Sequence, residues 1–193
     1  KKNMCYVDQA IKESPTSDSV ISIITICRNA EILLETTMLS VLTQTYIPIE
    51  YIIVDGLSSD HTMDVARLVA SRFPERRVKI VSEADFGISD AMNKGIQLSS
   101  GRVVAHLHAG DSYVDKTVIK KVMDHFNREG WRWGIAKSVV ENTYGDRLHI
   151  SSVRHDYRHL LKQNSIPHSS TFLARDIFFK HGGFRIDLKQ AMD

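Results

Sequence analysis

Residues 83–111, EADFGISDAMNKGIQLSSGRVVAHLHAGD, indicate the fold of this chain more clearly than any other stretch. They begin as an acidic loop, continue as a short amphipathic helix over 88–98, and after a glycine turn form an apolar strand over 103–107. Asp111 follows that strand, and Asp85 lies upstream of the helix. Ligands of open α/β sheets bind beyond the carboxyl ends of the strands. These two carboxylates are therefore placed to hold a metal ion or a sugar hydroxyl.

The same alternation of strand and helix extends on both sides of this stretch. Apolar, β-branched runs predict further buried strands over 20–26, 50–54 and 78–81. Apolar residues at helical spacing predict helices over 31–44, 61–73 and 116–128. Strands that alternate with helices imply a mostly parallel central sheet with right-handed crossovers, which is an α/β fold.

This rhythm changes after Trp131. The sequence then predicts, in order, strands over 135–140 and 148–153 around a turn at 144–146, a basic helical stretch near 154–163, a strand near 170–173, and a short helix that ends at Gly182-Gly183. Residues 1–18 are polar and are interpreted as an N-terminal arm. We expect the remainder, 19–193, to form a single domain.

Composition restricts the classes of partner. The chain has 193 residues, 42% of them hydrophobic, and a formal net charge of +2, which gives no reason to expect a nucleic-acid partner. No apolar run approaches the roughly 20 residues that span a bilayer. From residue 131 onward, 10 Lys and Arg stand against 6 Asp and Glu. This basic third is either an ordinary solvated surface or a patch that faces an anionic substrate or a membrane.

The two cysteines, Cys5 and Cys27, have neither the spacing of a zinc site nor that of a disulfide framework. Reduced thiols and a cytoplasmic location are the simplest interpretation. The chain ends at Asp193 without a helix stop signal, and we expect it to be a fragment of a longer protein.

Three carboxylates follow predicted strands: Asp55, Asp85 and Asp111. Because parallel strands share one carboxyl edge, we expect these three groups to converge. Each alone is also explained by a turn, since Asp-Gly is a common turn pair. The residues 58–60 suit a helix cap, but Asp55 comes too early to cap. Its carboxylate is suited to accept an N–H from a planar base, which suggests that a nucleotide binds there.

The sequence contains neither GxGxxG nor GxxxxGK[ST], so no glycine-rich loop is predicted to hold phosphates. A nucleotide diphosphate would then need a metal ion or basic side chains to balance its charge. Asp111 suits a divalent cation, because Mg²⁺ or Mn²⁺ prefers oxygen ligands and often combines one or two carboxylates with substrate phosphates.

In combination, these motifs resemble one family, the inverting glycosyltransferases of family 2, which have the nucleotide-diphospho-sugar (GT-A) fold. The resemblance covers about residues 20–193 and rests on these segments: SIITICRNAE at 22–31, SVLTQTYIPIEYIIVDGLSSDHT at 40–62, DFGISDAMNKGIQLSSG at 85–101, LHAGD at 107–111, IPHSSTF at 166–172, and GGF with the later MD at 192–193. The chain looks most like the bacterial subset that builds colanic-acid, O-antigen and capsular polysaccharides.

The resemblance implies a mostly parallel central sheet with helices on both faces and a smaller mixed sheet on the acceptor side. It divides the domain into a nucleotide-sugar-binding half, 19–113, and an acceptor-side half, 114–193. The residues that match the donor site are Thr25, Arg28, Glu31, Asp55, Asp85, Lys94 and Gly110. Of these, Asp55 matches the carboxylate that reads the base.

The remaining matches concern the metal, the acceptor and the base. Asp111 matches the metal-binding Asp of the D-x-D-type motif, and Gly110 stands where many relatives have a second acid. His168 lies in the acceptor-side segment. Asp193 matches the acidic residue that acts as general base and removes the proton of the attacking hydroxyl. The metal, Mg²⁺ or Mn²⁺, would take up charge on the leaving diphosphate in a single inverting displacement.

The resemblance also implies partners. The donor is a nucleotide-diphospho-sugar, with a UDP-sugar favoured and GDP or dTDP left open, because one Asp can read several bases. The acceptor is a glycan or a polyprenyl-diphosphate-linked sugar. The basic C-terminal third permits peripheral association with the inner membrane face.

Two other interpretations stay open. A sugar-nucleotide pyrophosphorylase shares the fold but would need a glycine-rich basic loop after the first strand, where this chain has CRNAE at 27–31. A catalytically inactive module that keeps the fold and binds a partner is the other. The single acid at Gly110-Asp111 is the feature that favours it.

Overall fold

A computed structural model describes residues 19–142, 145–151 and 166–187. The predicted N-terminal arm, the basic helical stretch near 154–163 and Asp193 lie outside these residues. The strands are β1 Ile21–Cys27, β2 Ile49–Asp55, β3 Arg77–Ser82, β4 Val103–His106, β5 Trp133–Ile135, β6 Ser138–Glu141, β7 Arg147–Ser151 and β8 Thr171–Ala174. The α-helices are α1 Leu34–Leu42, α2 Thr62–Ser71, α3 Ile88–Leu98, α4 Val118–Glu129 and α5 Arg175–His181.

Six strands form the main sheet in the order β3-β2-β1-β4-β8-β5. The four strands β3, β2, β1 and β4 are parallel. β8 pairs antiparallel with β4, and β5 pairs antiparallel with β8, so β5 runs in the direction of the first four strands. All residues of β1, β2 and β4 are buried, which is why their sequences are almost continuously apolar. The parallel register brings the loops after β1, β2, β3 and β4 to one edge, as the alternating pattern predicts.

Helices cover both faces of this sheet, as expected. Side chains of a strand alternate between the faces, so Ile21 and Ile23 of β1 pack with α1, α2 and α4, whereas Ile24 and Ile26 pack with α3 and α5. The first cluster is the larger and includes the completely buried Met38 of α1.

The opposite, amino edge of the sheet holds one buried carboxylate, Glu50 at the start of β2. It accepts hydrogen bonds from the Ser22 hydroxyl at 2.6 Å and from the backbone N–H of Ser100 at 2.7 Å. Arg77 Nη2 lies 3.0 Å from the same carboxylate. Burial opposes ionisation of Glu50, but these hydrogen bonds and the guanidinium together lower its pKa below the usual value.

The predicted strand over 135–140 is wrong as a single element. Residues 136–137 separate β5, which belongs to the main sheet, from β6, which pairs with β7. The smaller sheet is this antiparallel hairpin and is not mixed. The predicted strand near 170–173 corresponds to β8, which joins the main sheet. No helix in the described part of the chain is both long enough and apolar enough to cross a membrane.

Candidate active site

The loops after β1 and β2 are joined by hydrogen bonds at the carboxyl edge. The Asn29 backbone N–H donates to Ser58 Oγ at 2.8 Å, and the Asn29 side-chain oxygen accepts the Ser59 backbone N–H at 2.9 Å. The Ala30 backbone N–H donates to Thr62 Oγ1 at 2.7 Å. These bonds satisfy loop backbone groups that the sheet leaves unused. The two loops are therefore held as one unit.

Glu31 belongs to this unit. Its carboxylate accepts the His61 backbone N–H at 2.9 Å, and its own backbone N–H donates to Asp60 at 3.2 Å. Asp60 also accepts the Thr62 backbone N–H at 3.0 Å. The first turn of a helix has N–H groups without helical partners and favours negative charge. Glu31 and Asp60 thus stabilise the start of α2, and the donor-site role of Glu31 stays a prediction.

Asp55 ends β2 and is completely buried. One carboxylate oxygen accepts the Ser58 backbone N–H at 3.1 Å and the Ser82 hydroxyl at 2.6 Å, and the other accepts the Ser58 hydroxyl. Asp55 therefore stabilises the turn that follows it, which is the alternative that the Asp-Gly pair left open. A base could be read only if one of these serine hydroxyls turned away. Base recognition by Asp55 stays a prediction.

Thr25 lies inside the sheet. Its side chain is completely buried, and its hydroxyl donates to the Leu107 carbonyl at 2.6 Å and lies 2.9 Å from the Tyr51 hydroxyl. These contacts join β1 to β2 and to the end of β4. The structure corrects the expectation that Thr25 borders the nucleotide, because solvent and ligands do not reach this position.

Gly56 allows three segments to meet. A Cβ at this position would collide with the Asp85 carboxylate and lie 3.5 Å from Cδ of Arg28. Asp85 also accepts the Gly87 backbone N–H at 2.9 Å, which fixes its own loop. Arg28 is exposed, and no hydrogen bond or ion pair of its guanidinium occurs among the described residues. Asp85 and Arg28, two predicted donor-site residues, thus lie against the loop after β2.

Lys94 holds the acidic loop that precedes α3. Its ammonium group donates to the Ala84 carbonyl at 2.5 Å and lies 3.2 Å from both Glu83 and Asp90. Partial burial would lower the pKa of Lys94, but these two carboxylates raise it overall. Lys94 is therefore engaged with the loop, and contact with a donor stays a prediction.

Gly110 and Asp111 form a tight turn after β4. The Thr37 hydroxyl of α1 accepts the Gly110 backbone N–H at 3.0 Å and donates to the Asp111 carbonyl at 2.8 Å. Gly110 has a φ of +103°, a conformation that L side chains rarely adopt. The backbone therefore favours glycine at the position where many family members have a second acid.

A row of histidines lies behind Asp111. The His108 and His168 rings are stacked with centroids 4.2 Å apart and planes 27° apart, and His168 Nε2 lies 3.5 Å from Asp111 Oδ2. His106 meets His108 edge-on at 6.1 Å. Burial, reinforced by the neighbouring imidazoles, lowers the pKa of His108 to about 4 and that of His106 to about 3. Both rings are therefore neutral near pH 7.

Sequence reasoning missed Asn93, which joins α3 to the turn that follows α5. Its side-chain amide donates to the Phe184 carbonyl at 2.9 Å, and its side-chain oxygen accepts the Phe184 backbone N–H at 2.9 Å. Gly183, with φ +78°, leaves room for this approach, since a Cβ there would lie 2.7 Å from the Asn93 oxygen. Asn93 lies next to Lys94 within the segment 85–101 that resembles the family. That position was the one sequence signal that could have identified it.

The side chain of Asp111 fits a divalent ion. Its carboxylate side chain is 43% exposed at the carboxyl edge. The residues that the structure describes contain no group of three or more His, Cys, Asp or Glu that could hold an ion by themselves. An ion at Asp111 would therefore take most of its ligands from a diphosphate and water, as Mg²⁺ often does.

Comparison with known sequences decides the family. The sequence pattern described as Glycosyl transferase family 2 matches residues 22–185, most of the chain. The chain belongs to glycosyl transferase family 2. A PGL/p-HBAD biosynthesis glycosyltransferase of Mycobacterium bovis is 27% identical to this family 2 chain over 179 residues, 90% of this chain and 66% of that protein. An uncharacterized glycosyltransferase of Mycobacterium tuberculosis is 29% identical over 184 residues, 92% of this chain and 67% of that protein.

Solved structures confirm the predicted GT-A fold of this family 2 chain. The mannosyltransferase PcManGT from Pyrobaculum calidifontis, in complex with GDP-Man and Mn²⁺, gives a TM-score of 0.69 at 18% identity over 94% of this chain and 52% of its own. TarS of S. aureus in complex with UDP-GlcNAc gives 0.66 at 15% identity over 90% of this chain and 50% of its own. The chain spans about two thirds of the length of the two curated relatives named above. The narrower likeness to colanic-acid, O-antigen and capsule enzymes stays an expectation.

Proposed function

We propose that this chain carries the donor-binding and catalytic part of a metal-dependent inverting glycosyltransferase. The enzyme moves a sugar from a nucleotide-diphospho-sugar to a glycan or lipid-linked acceptor in the synthesis of a cell-surface polysaccharide. A single observation supports this proposal most strongly. The carboxylates of Asp55, at the end of β2, and of Asp85 and Asp111, in the loops after β3 and β4, lie at one edge of the parallel sheet.

Donor binding is assigned to the unit formed by the loops after β1, β2 and β3. Its fixed geometry limits the reorganisation needed when a nucleotide binds, which favours affinity. Asp55 would accept an N–H of the base, with a serine hydroxyl turning aside. Arg28 is exposed beside Asp85 and is suited to pair with a phosphate of the diphosphate. The complexes of TarS with UDP-GlcNAc and of PcManGT with GDP-Man support a sugar nucleotide as the donor class.

Asp111 would hold the divalent ion together with oxygens of the diphosphate. When bound, the ion supplies charge compensation for the departing diphosphate. The Mn²⁺ of the PcManGT complex supports the use of a divalent ion in general. The turn at Gly110 presents the Asp111 side chain to solvent, while Thr37 fixes the backbone on both sides of it.

The transfer step needs a base that faces the anomeric carbon from the acceptor side. Asp193 is proposed for this role on the basis of the family resemblance. A carboxylate can accept the hydroxyl proton as the new bond to the anomeric carbon forms and the bond to the diphosphate breaks. One displacement of this kind inverts the anomeric centre. The acceptor would approach over the half that contains the 3₁₀ turn His168–Ser170 and, if lipid-linked, at the inner membrane face.

Calorimetric titration with UDP, GDP and dTDP, each with and without Mn²⁺, tests donor binding. We expect one nucleotide to bind more tightly with Mn²⁺. Binding of none of the three would contradict the enzyme interpretation and favour the inactive-module alternative. A panel of nucleotide sugars assayed for hydrolysis then identifies the donor. Asp193→Asn should keep the nucleotide affinity and lose transfer, and transfer at the wild-type rate would remove Asp193 as the base.

A further inference from the structure

We propose that His168 is a positioning residue for Asp111 and that His108 holds it in place. His168 was expected only to lie on the acceptor side. Its ring instead lies against Asp111, the carboxylate that is proposed to hold the metal ion. This inference therefore rests on the proposed function. It assigns His168 to the orientation of the ion-binding carboxylate and not to the ion itself.

The backbone of Asp111 is fixed, but its side chain is not. The Asp111 N–H donates to the His108 carbonyl at 2.9 Å, and the Asp111 carbonyl accepts the Thr37 hydroxyl at 2.8 Å. Neither contact restrains rotation of the carboxylate. Among the residues that the structure describes, His168 is the one whose side chain comes within ion-pair distance of it, with Nε2 3.5 Å from Oδ2. The orientation of the carboxylate therefore depends on His168.

The ring of His168 is itself held in place. It lies on the short turn His168–Ser170 and stacks on His108 at 4.2 Å. His108 is supported in turn by His106, which packs against Phe184 at 5.4 Å. The rings thus form a continuous row beneath the carboxyl edge of the sheet. The row begins at Phe184 and ends at Asp111. Such a row can fix the imidazole without contributing a ligand.

The burial of the imidazole nitrogen separates a positioning role from direct ligation. Nε2 of His168, the nitrogen that faces Asp111, is shielded from solvent, although the His168 side chain as a whole is 39% exposed and that of Asp111 43%. An ion that arrives with a diphosphate therefore reaches the carboxylate but not this nitrogen. Groups behind a metal ligand fix its orientation and raise its basicity, and their removal typically weakens metal binding about 10–100-fold.

The test measures Mn²⁺ binding to the whole chain by electron paramagnetic resonance in the presence of UDP and, separately, GDP. His168→Phe keeps a ring for the stack and removes the nitrogens. We expect it to weaken Mn²⁺ binding by about 10–100-fold without changing nucleotide binding in the absence of metal. His108→Ala should weaken Mn²⁺ binding in the same direction, and His108→Phe, which restores a ring, should recover most of it. The matched control His181→Gln, at an exposed position on α5, should bind Mn²⁺ like the wild type.

Electron spin echo modulation of the bound Mn²⁺ completes the test. A positioning role predicts no directly coordinated nitrogen in the wild type. A nitrogen coupling that disappears in His168→Phe would show a direct ligand and overturn the inference, as would wild-type Mn²⁺ affinity in that variant. If Asp111→Asn binds Mn²⁺ like the wild type, or if the wild type binds none with either nucleotide, the metal site of the proposed function fails as well. Thermal denaturation of each variant shows whether it is folded.

Discussion

Carboxylates lie at both edges of the main sheet, but their surroundings differ. At the amino edge, Glu50 is 1% exposed and is surrounded by serine donors and Arg77. At the carboxyl edge, the Asp111 side chain is 43% exposed and lies 3.5 Å from His168 Nε2, while hydrogen bonds fix its backbone. A fully satisfied carboxylate contributes to stability and has no capacity left for a ligand. The comparison teaches that hydrogen-bond saturation, more than position alone, distinguishes a structural acid from a functional one.

Asp55 shows that the distinction does not follow the edges strictly. It lies at the carboxyl edge, yet it is as buried as Glu50 and has both oxygens bonded to protein groups. By the criterion of saturation it resembles Glu50. If it reads a base, it must do so by exchanging a serine hydroxyl for the ligand.

The largest expected effect comes from Asp111→Asn. The change removes the charge that attracts a cation, so we expect the Mn²⁺-dependent part of nucleotide binding to disappear. The free energy of unfolding should change by less than about 0.5 kcal/mol, because the carboxylate is 43% exposed and its contact with His168 Nε2, at 3.5 Å, is long. Calorimetry with UDP and GDP measures the first quantity and urea denaturation the second. A large loss of stability would place Asp111 in the same class as Glu50.

Glu50→Gln should show the opposite behaviour. The amide cannot accept from all the donors around it and leaves some of them buried without a partner, so we expect a loss of roughly 2–3 kcal/mol in the free energy of unfolding. Nucleotide affinity should stay at the wild-type value, because the residue lies at the far edge. Denaturant titration and calorimetry give both numbers. A stable variant with altered nucleotide affinity would break the comparison.

Acid should destabilise the carboxyl edge through its histidines. The pKa of His108 is about 4 in the folded chain and that of His106 about 3, because burial disfavours the charged rings. The unfolded chain then binds more protons between about pH 6.5 and pH 4, so stability falls as the pH drops through that window. For His108 the loss reaches up to roughly 3 kcal/mol. The groups that face it are His106, His168 and Asp111.

The measurement is the unfolding free energy of wild type and His108→Phe from pH 8 to pH 4. The variant should lose less stability on acidification, with the His106 contribution remaining. Parallel curves for the two proteins would mean that His108 does not control this pH dependence. His125→Gln, a change at a histidine on α4, serves as the control.

Gly110→Ala tests whether backbone conformation explains the glycine before Asp111, at the position where many relatives have a second acid. A side chain at φ +103° strains the backbone by about 1–2 kcal/mol. We expect a loss of that size in unfolding free energy, measured by denaturant titration. Gly130→Ala, at the αL end of α4 with φ +62°, is a matched glycine away from the site. If Gly110→Ala costs nothing, backbone conformation does not explain the glycine.

The smallest effect is expected at Arg77, which pairs with Glu50 from a position that is 63% exposed. Solvent screens such a pair, so Arg77→Ala should cost less than about 1 kcal/mol. Denaturant titration of Arg77→Ala and Glu50→Gln compares their losses in unfolding free energy. The difference shows how much of the stabilisation of the Glu50 carboxylate comes from Ser22 and Ser100. A loss as large as that of Glu50→Gln would mean that the guanidinium, and not the serines, is the main partner.

The parallel part of the fold was predictable because its signals are local. Buried runs such as 21–27 and the amphipathic helices carry their period in the sequence. The division of 135–140 into β5 and β6 was not predictable. It depends on pairing with β8 and β7, which lie further along the chain, and short apolar segments do not specify their partners.

The site was predictable to a similar extent. Parallel topology placed the loops of Asp55, Asp85 and Asp111 at one edge, as expected. The burial of Thr25 could have been read from side-chain alternation, since it shares a face with Ile23 inside the larger cluster. The stack of His108 on His168 had no local signal, because β4 and the later turn meet only through the antiparallel addition of β8.

The bonds of Asn93 to Phe184 have a consequence for how the chain folds. They join residues 91 positions apart, and closing so long a loop is entropically costly. The pairing of β1 with β2 joins residues 28 positions apart, as in Ile21 and Ile49, and should form earlier. We therefore expect the Phe184 amide to become protected late in pulsed hydrogen exchange during refolding, after the amides of β1 and β2. Assembly of the β1-β2 core would then precede docking of the turn at Phe184, and protection of Phe184 together with β1 would exclude that order.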